Sequence, residues 1–450
     1  MHQVLLKTRY WCGIVLYVLL LYDERTKYSI NTIYASIDGL RDVHVHLVSN
    51  LDELLLTAVN LKEKNQRVVA AVSLLTTMLA DENYLEKLAS TIRILKSKNC
   101  IVICGGPHAS GDPLGTVHAL GFDYAVIGEG EETIKDFVIA LRDGKDVKSV
   151  KGLAYVEEGK FVYTGRRKPV NLDEHHPFPY WRGLFNPIEV TRGCPYGCFY
   201  CQVSYIHGFA YRHRSVNRVV FYATEFFKSG RRDLRFITPN GFAYGLTSAS
   251  RTPNIHALEE LLDSLWRIAS RYGGRIFLGT FPSEVRPEHV TEETLGLLKK
   301  YVSNNSIIIG AQSASERILR SIHRGHSVED VLNAVELCRN YGFTPDIDLI
   351  LGFPGETRDE MKLTLEFAEK IAEKGGRVHL HYYIPLPGTP LGLRPPERLP
   401  ETIVKRLMKL IGKGKAYGDW LKQMEISWNI IELHKKGMVY PRSTAPGFIS

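Results

Sequence analysis

The sequence predicts an α/β protein with two successive units of alternating strands and helices, followed by a helical C-terminal segment. Short apolar runs alternate with amphipathic helical patterns over residues 1–150, and the same alternation resumes over residues 187–395. Such alternation is typical of parallel sheets that are flanked by helices. Residues 151–186 are predicted to form a β-hairpin and a linker, and residues 396–450 a helical extension.

Length and composition are ordinary for a protein of two or three domains. The chain has 450 residues, 44% of them hydrophobic, and a net charge of +8, which argues for neither nucleic acid nor an anionic substrate. The apolar run Trp11–Tyr22 is too short to span a bilayer and lacks the cleavage site of a signal peptide. We interpret it as a buried central strand and expect no membrane span.

Five strands and five helices are predicted in the first unit. The strands are Ile14–Tyr22, Val43–Val48, Val68–Leu75, Cys100–Cys104 and Tyr124–Ile127, and the helices lie near 28–38, 51–64, 83–97, 114–120 and 131–142. This pattern predicts a flavodoxin-like (Rossmann-type), doubly wound domain, which binds ligands beyond the carboxyl ends of its strands.

Three of these strand ends carry residues suited to a ligand. They read Ser73-Leu74-Leu75, Gly105-Gly106-Pro107-His108 and Gly128-Glu129-Gly130. Paired glycines let a flat ligand approach the backbone closely. Taken singly, each of these segments is explained as well by an ordinary turn at the end of a strand.

Six further β/α units are predicted in the second part of the chain. The strands are Ile188–Thr191, Leu234–Ile237, Arg275–Gly279, Ser306–Ala311, Asp346–Leu351 and His379–Ile384, with helices near 216–228, 255–271, 291–301, 327–341 and 358–373. Six units predict a partial, open version of the (β/α)₈ barrel, with its chemistry at the carboxyl ends of the strands. Two amphipathic helices, near 400–412 and 415–436, and a Pro/Gly/Ser tail from Pro441 complete the chain.

Three of the seven cysteines lie together, as Cys194, Cys198 and Cys201. Thiolates at such short spacing suit an iron–sulfur cluster or zinc. A closed site needs four ligands, and His207 is the nearest candidate for a fourth. Three cysteines on a cubane leave one iron open to a substrate, whereas a zinc knuckle or a chance grouping is the alternative.

The remaining cysteines lie in apolar strand-like or helix-like contexts, as Cys12, Cys100, Cys104 and Cys338. They are interpreted as reduced core residues. Because a ligating triad is hard to reconcile with disulfide formation, the sequence predicts a reducing, cytoplasmic compartment.

The cysteine pattern, with Tyr200 before the last cysteine, resembles the signature of the radical S-adenosylmethionine (SAM) enzymes. The resemblance implies that the cysteines hold a 4Fe–4S cluster whose open iron takes the amino and carboxylate groups of SAM. It also implies a six-unit barrel and an electron donor such as ferredoxin or flavodoxin.

Later strand ends extend this resemblance. The segment from Gln312 and Ser313 to Glu316 is similar to the Gln-Ser-Gly-Ser element of the family, and Arg324-Gly325-His326 to its Arg-Gly-His. Gly352-Phe353-Pro354-Gly355-Glu356-Thr357 and the run from Pro385 to Pro390 match two further elements. The implied SAM-binding residues are Tyr200, Asn240, Gln312, Ser313, Glu316, Arg324, Gly352 and Pro385. Asn240 is the weakest of these, because Thr238-Pro239-Asn240-Gly241 stands where many members have Gly-Gly-Glu.

The glycine-bearing strand ends of the first unit resemble the cobalamin-binding domain found in some radical SAM enzymes. The implied cobalamin contacts are Ser73, Leu75, Gly105, Gly106, His108, Gly128, Glu129 and Gly130. Lys27–Asn31 stands where many such domains carry Asp-x-His-x-x-Gly, so no histidine of that motif is expected on cobalt. A domain that keeps the fold but has lost the cofactor is the alternative.

The resemblance as a whole implies a radical SAM enzyme that methylates an unactivated carbon with the help of cobalamin. Two alternatives stay open: a non-methylating radical rearrangement, cyclisation or C–C coupling, and a cluster-bearing sensor or carrier without turnover. A tRNA methylthiotransferase is less favoured, because the first unit lacks a second cysteine triad. The sequence names neither the catalytic residues nor the substrate, which is a small molecule or a macromolecule, and it does not indicate nucleic acid.

Overall fold

The computed structural model describes residues 15–442. The start of the predicted first strand at Ile14, the cysteine Cys12 and the end of the C-terminal tail, residues 443–450, lie outside the described residues. Within the described part of the chain, no helix combines the length and the apolar character that crossing a membrane requires.

A seven-stranded sheet organises the first unit. Its strands are β1 (Leu16–Leu21), β2 (Val43–Val48), β3 (Arg67–Ser73), β4 (Ile101–Gly105), β5 (Tyr124–Val126), β6 (Leu153–Glu157) and β7 (Lys160–Tyr163). Their order in space is β2-β1-β3-β4-β5-β6-β7, and the first five strands run parallel. The order β2-β1-β3-β4-β5 is that of the flavodoxin-like fold, so the predicted fold is confirmed.

Helices cover both faces of this sheet. They are α1 (Lys27–Ile37), α2 (Leu51–Glu63), α3 (Thr76–Leu79), α4 (Glu82–Ser97), α5 (Gly106–Gly111), α6 (Pro113–His118) and α7 (Glu131–Arg142). Alternate residues of β1 enter different cores: Leu19 and Leu21 pack in one, and Val18 and Leu20 in the other. Burial on both faces explains why β1 is a continuous apolar run.

The predicted hairpin extends this sheet. β6 pairs antiparallel with β5 through Ala125 and Ala154, and β7 pairs with β6. Glu158 and Gly159 both have positive φ, as a tight two-residue hairpin turn requires. The hairpin therefore belongs structurally to the first unit, and only the segment after Tyr163 connects the two units.

The second unit begins at Ile188. Its strands are β8 (Ile188–Glu189), β9 (Thr191–Arg192), β10 (Arg212–His213), β11 (Asp233–Leu234), β12 (Phe236–Ile237), β13 (Arg275–Ile276), β14 (Ser306–Gln312), β15 (Thr344–Leu351), β16 (Arg377–Tyr382) and β17 (Ala416–Tyr417). Its helices are α8 (Gln202–His207), α9 (Val216–Lys228), α10 (Ile255–Tyr272), α11 (Glu292–Tyr301), α12 (Glu316–Ser321), α13 (Val328–Asn340), α14 (Arg358–Glu373), α15 (Glu401–Gly412) and α16 (Trp420–Lys435).

These strands form an open parallel barrel. β8 pairs with β12, β11 with β13, and β14 to β17 form one four-stranded sheet. The third barrel strand, β13, and the fourth, β14, are connected just after β13, where Ile308 N donates to Gly279 O across 2.8 Å. The partial barrel predicted from the sequence is therefore confirmed, and it gains a seventh short strand, β17.

The start of the last predicted helix is wrong. Residues Ala416 and Tyr417 pair with Val378 and His379 instead of beginning a helix at 415. Gly418 has a φ of +125°, a value that is outside the helical region, and its position leaves no space for a side chain, which would strike Leu380 O. α16 begins only at Trp420 for that reason.

The carboxyl ends of the two sets of strands face each other. Gln202, the residue after the last cysteine of the triad, donates to Pro107 O of the first unit across 3.3 Å and to Pro387 O of the barrel across 2.8 Å. α16 also packs on the first unit, where Asn429 Nδ2 donates to Ala80 O across 3.1 Å. A site that forms between the two units is thus enclosed by residues of both.

Candidate active site

The loop between β9 and α8 carries the three cysteines, and the first turn of α8 holds it in place. Ser204 Oγ donates to Cys194 O across 2.7 Å and accepts from Gly197 N across 3.2 Å. Tyr205 Oη donates to Gly197 O across 2.9 Å. The loop is thus fixed by the protein itself, with Cys198 buried and the other two cysteines partly exposed.

Two glycines of this loop cannot be replaced without moving it. Gly193 has a φ of +80°, and a Cβ atom there would strike Ala210 O. Gly197 has a φ of +59°, and a Cβ atom would lie 2.9 Å from the ring of Phe209. The glycines around the cysteines are therefore required by the backbone conformation and by close packing.

The three cysteine sulfurs are not gathered as closely as a single ion requires. In residues 15–442, the only group of three or more His, Cys, Asp or Glu side chains with all ligand atoms within 4.8 Å of one another lies elsewhere in the barrel. Two thiolates on one zinc ion cannot be more than about 4.6 Å apart, twice the Zn–S distance. At least two of the three sulfurs are therefore farther apart in this structure than one zinc ion allows.

The histidine nearest to the triad in sequence is directed away from a role as fourth ligand. His207, the nearest candidate by sequence, faces the first unit, with its Nδ1 atom 3.5 Å from Glu129 Oε1. Burial raises the pKa of Cys201 to about 12, so this thiol ionises only when a metal supplies positive charge. A three-cysteine cluster with one open iron is the arrangement that this donor set supports.

Arg324 connects the cysteine loop to the fourth barrel strand, β14. Its Nη1 atom donates to Cys198 Sγ across 3.6 Å, and its Nη2 atom donates to Gly310 O across 2.7 Å. A Cβ atom at Gly310 would lie 2.7 Å from Gln312 Nε2 and 2.8 Å from Arg324 Nη2. The structure thus brings together Cys198, Arg324 and Gln312 inside the barrel.

Most of the other predicted SAM-binding residues lie around this group. Ser313 is buried next to Gln312, the ring of Tyr200 packs edge-on against Phe353 with centroids 5.5 Å apart, and Gly352 N donates to Glu356 Oε2 across 2.7 Å. Pro385 is buried just beyond β16. Glu316 lies apart from them: it is exposed, and its carboxylate accepts from Val328 N across 2.7 Å.

Asn240 belongs to a network that sequence reasoning missed. Its Nδ2 atom lies 2.8 Å from His289 Nδ1, and its Oδ1 atom accepts from Arg286 N across 3.3 Å. Arg286 in turn stacks on the ring of Tyr196 in the cysteine loop, 3.5 Å from its centroid. No motif marks Arg286 or His289, because both lie in an irregular segment after β13 and are brought to Tyr196 only by the fold.

A cavity of about 340 Å³ lies between the carboxyl ends of the first sheet and the first strands of the barrel. Seven of the eight predicted cobalamin contacts line it, namely Ser73, Leu75, Gly105, Gly106, Gly128, Glu129 and Gly130. Ile206 and His207 of α8 line the same cavity, so it reaches the helix that follows the cysteine loop. Its volume is in the range of small-molecule and cofactor sites.

Gly106 keeps this cavity open. Its φ is +91°, and a Cβ atom there would lie 2.7 Å from Ser73 Oγ and 2.8 Å from Leu74 O. Ser73 Oγ is itself 3.1 Å from Ser29 Oγ of α1. A slot whose wall is bare backbone fits the flat nucleotide tail of a corrinoid.

His108 is the predicted contact that does not line the cavity. It is fully buried, its Nδ1 atom lies 3.0 Å from Thr76 Oγ1, and its Nε2 atom has no partner within the described structure. Burial lowers the pKa of His108 to about 4, so its ring is neutral. The residue packs behind the Gly105-Gly106 turn.

Glu129 lines the cavity, but its carboxylate already forms hydrogen bonds and ion pairs with other residues of the protein. It accepts from Val170 N across 2.8 Å and pairs with Arg212 and with Arg192, the latter across 3.5 Å. Burial opposes its ionisation, but hydrogen bonding to His207 and Arg212 and the charge of Arg192 lower the pKa of Glu129 to about 2. The acidic strand end thus fastens the first unit to the cysteine-bearing part of the barrel.

Comparisons with known proteins agree with this geometry. The model of the radical SAM superfamily matches residues 188–368. The chain is 28% identical over 316 residues to an uncharacterized methyltransferase (PH0819) of Pyrococcus horikoshii, covering 67% of this chain and 64% of that relative. It is 30% identical over 252 residues to the ribosomal protein uS12 methylthiotransferase RimO of Clostridioides difficile, covering 55% of this chain and 51% of that relative.

Two solved structures share the fold at low sequence identity. One is the radical SAM methyltransferase TsrM from Kitasatospora setae with cobalamin and a 4Fe–4S cluster bound, with a TM-score of 0.66 and 18% identity over 85% of this chain and 78% of that one. The other is the cobalamin-dependent radical SAM enzyme OxsB with aqua-cobalamin bound, with a TM-score of 0.60 and 15% identity over 90% of this chain and 56% of that one.

Proposed function

We propose that this chain, whose residues 188–368 match the model of the radical SAM superfamily, is a cobalamin-dependent methyltransferase that acts on an unactivated carbon. One observation carries the proposal: the glycine-walled cavity at the carboxyl ends of the first sheet reaches the helix that follows the cysteine loop. A corrinoid held there would stand beside the SAM-binding end of the barrel.

The positions of the residues support the following roles. Cys194, Cys198 and Cys201 would hold a 4Fe–4S cluster, and Arg324 supports Cys198 through its hydrogen bond to Sγ. Gln312, next to Arg324 inside the barrel, is in position to orient SAM. When bound, the cluster supplies the electron that cleaves SAM, and the corrinoid supplies a carrier for the methyl group.

Contacts between the two units hold the cavity next to the cysteine-bearing end of the barrel. Gln202, directly after the last cysteine, donates to Pro387 O within the barrel and to Pro107 O of the first unit, so separation of the two units would break the hydrogen bond to Pro107. Glu129 and Arg192 form a second buried connection between the units. Such closure protects reactive intermediates from solvent and holds the substrate close to both cofactors.

A methylthiotransferase is supported less well, although relatives carry that name. The two cysteines of the first unit that the structure describes, Cys100 and Cys104, are buried core residues at the start and in the interior of β4. They are not positioned as ligands of a second cluster. A non-methylating radical reaction uses the same two cofactor sites and differs only in its products.

The test is an anaerobic incubation of cluster-reconstituted protein with cobalamin, SAM and a strong reductant. The proposal expects both 5′-deoxyadenosine and S-adenosylhomocysteine, because methylation consumes one SAM as methyl donor and a second as radical source. 5′-Deoxyadenosine without S-adenosylhomocysteine indicates the non-methylating alternative. Absence of both products, with the cluster intact, indicates a sensor or carrier.

A further inference from the structure

Three side chains with metal-binding chemistry meet inside the barrel, away from the cysteine loop. Asp348 lies on β15, and His379 and His381 lie on the neighbouring parallel strand β16. Asp348 and His379 are directly opposite each other in the register. Their neighbours Leu349 and Leu380 enter the core under the outer helices, so the alternation of side chains directs the other three into the barrel.

The ligand atoms of these three residues converge on one point. His379 Nδ1 lies 3.0 Å from Asp348 Oδ1 and 3.1 Å from His381 Nε2, and the last pair of atoms, His381 Nε2 and Asp348 Oδ1, are 3.7 Å apart. Atoms with these separations can all lie about 2.1 Å from a single ion, the usual distance for zinc bound to imidazole or carboxylate.

Hydrogen bonds among these three atoms cannot all form at once. The Nδ1 atom of His379 carries either one proton or one lone pair in the plane of its ring. It can therefore make a normal two-centre hydrogen bond to Asp348 Oδ1 or to His381 Nε2, but not to both. A cation between the three atoms accepts a lone pair from each of them.

The surroundings orient the histidines. The ring of Tyr417 stacks on that of His379 with centroids 4.6 Å apart, and Gln423 Nε2 lies 3.3 Å from His381 Nδ1. The two imidazoles are thus held facing the carboxylate of Asp348, and this donor set suits a divalent transition metal.

The three residues are partly open to solvent. The exposed fraction of the side chain is 14% for Asp348, 28% for His379 and 27% for His381. A closed structural metal site has four protein ligands, whereas three ligands and an open side are typical of a site that binds a further molecule. The structure describes neither another histidine nor a cysteine that would complete this group.

We propose that Asp348, His379 and His381 bind one divalent transition-metal ion, such as zinc or iron(II), inside the barrel. Asp348 pairs in register with Gly310, the residue flanked by Gln312 and Arg324, so the ion lies one strand away from the SAM-binding group. Its remaining positions are open, since all three ligand side chains are partly exposed. If the proposed methylation is correct, an oxygen or nitrogen atom of the substrate occupies one of them; the metal site itself does not depend on that function.

The experiment uses the full chain with its cluster reconstituted anaerobically, so that the cysteines are occupied. The protein is dialysed against low-micromolar zinc, and zinc and iron per chain are measured by mass spectrometry. We expect one zinc per chain in the wild type and a loss of at least tenfold in zinc affinity in D348N, H379Q and H381Q. The iron content of all variants is expected to match the wild type, because the cysteine loop is untouched.

His256→Gln is the matched control, because this histidine is exposed on α10 of the same barrel. It is expected to bind zinc like the wild type. X-ray absorption at the zinc edge is expected to show nitrogen and oxygen neighbours near 2.0–2.1 Å and no sulfur near 2.3 Å. Sulfur neighbours, no bound zinc in the wild type, or unchanged zinc binding in all three variants would each overturn the proposal, whatever the catalytic activity.

Discussion

The guanidinium group of Arg324 donates a hydrogen bond to Cys198 Sγ across 3.6 Å and another to Gly310 O across 2.7 Å. One side chain thereby fastens a cluster-ligating cysteine to the strand end that carries Gln312. Hydrogen bonds to ligand sulfurs tune the potential of an iron–sulfur cluster and orient its ligands. We therefore expect Arg324 to influence the reduction potential of a cluster bound at Cys198.

Replacing Arg324 by lysine is expected to uncouple the cluster from SAM cleavage. Lysine cannot make both hydrogen bonds in the same geometry. We expect iron content near that of the wild type, a lower cluster reduction potential, and SAM cleavage slowed by roughly 10- to 100-fold. Electron paramagnetic resonance during a redox titration measures the potential. Arg320→Lys, an exposed position on α12, is the control; equal potentials in R324K and the wild type would refute the prediction.

Replacing Cys198 by alanine is expected to remove the cluster and leave the fold. Two thiolates do not hold a cubane stably, so iron should fall from about four atoms per chain to a small fraction of that. Iron analysis and circular dichroism measure the two effects. Cys338→Ala, in the barrel core, should lose some thermal stability but keep its iron. Full iron in C198A would contradict the cluster assignment.

Replacing Gly106 by valine is expected to weaken cobalamin binding far more than SAM cleavage. The added Cβ atom would lie 2.7 Å from Ser73 Oγ and 2.8 Å from Leu74 O, so the turn that forms the cavity wall must shift. If the about 1–3 kcal/mol cost of overpacking falls on the cavity wall, cobalamin retention should weaken by roughly 5- to 150-fold.

Gly39→Val is the matched control for this variant. Gly39 has a similar φ of +82°, but no atom lies within 4 Å of the Cβ position. It shares the backbone strain without blocking the cavity. Corrinoid absorbance after desalting and 5′-deoxyadenosine release are measured for both; a parallel loss of the two in G106V would indicate misfolding instead.

No histidine is expected to ligate cobalt on its lower face. His108 lies behind the turn against Thr76, and His207, the only histidine among the cavity-lining residues described, faces Glu129. The paramagnetic resonance spectrum of the Co(II) form should show no nitrogen splitting in the wild type. A triplet splitting that disappears in H108A or H207A would contradict this prediction.

Glu356 is expected to make stability fall as pH rises. Burial raises the pKa of Glu356 to about 8, from an ordinary value of 4.5. The folded protein keeps this proton up to about pH 8, whereas the unfolded chain releases it near pH 4.5, so unfolding releases a proton between these values. Stability due to this group is complete below about pH 4.5 and declines up to about pH 8, by up to about 1.4 kcal/mol per pH unit.

Thermal unfolding at several pH values tests this effect. Glu356→Gln carries no titrating proton at this position. The melting temperature of this variant should therefore rise relative to that of the wild type as pH increases from 5 to 8. Glu366→Gln, on the exposed face of α14, controls for the loss of a carboxylate. Parallel curves for E356Q and the wild type would show that Glu356 is ionised in the folded protein.

Local sequence signals predicted most of the elements. The strands Val43–Val48 and Ser306–Gln312 and the helix Val216–Lys228 follow directly from apolar periodicity and flanking turns. The two-residue strand β17 carries no such signal, because its only reason to be extended is pairing with β16. The sequence predicts the hairpin and the strand β5 but not their pairing, since it does not specify which sheet edge is free.

The candidate site was predicted where motifs are local and missed where it depends on distant partners. The Gly105-Gly106 turn has the predicted place in the cavity wall, but the ion pairs that occupy Glu129 come from residues more than sixty positions away. The histidines of β16 could have been noticed, because residues 379 and 381 share one face of a strand. Asp348 lies beside them only because β15 pairs with β16 in the register that places it opposite His379.

The most direct measurement of the central claim is the absorption spectrum of protein reconstituted anaerobically with iron, sulfide and cobalamin, then desalted. The account predicts corrinoid bands equivalent to one cobalamin per chain together with about four iron atoms, and loss of the corrinoid bands alone in G106V. A wild-type protein that holds its iron but no corrinoid would contradict a cobalamin-dependent enzyme.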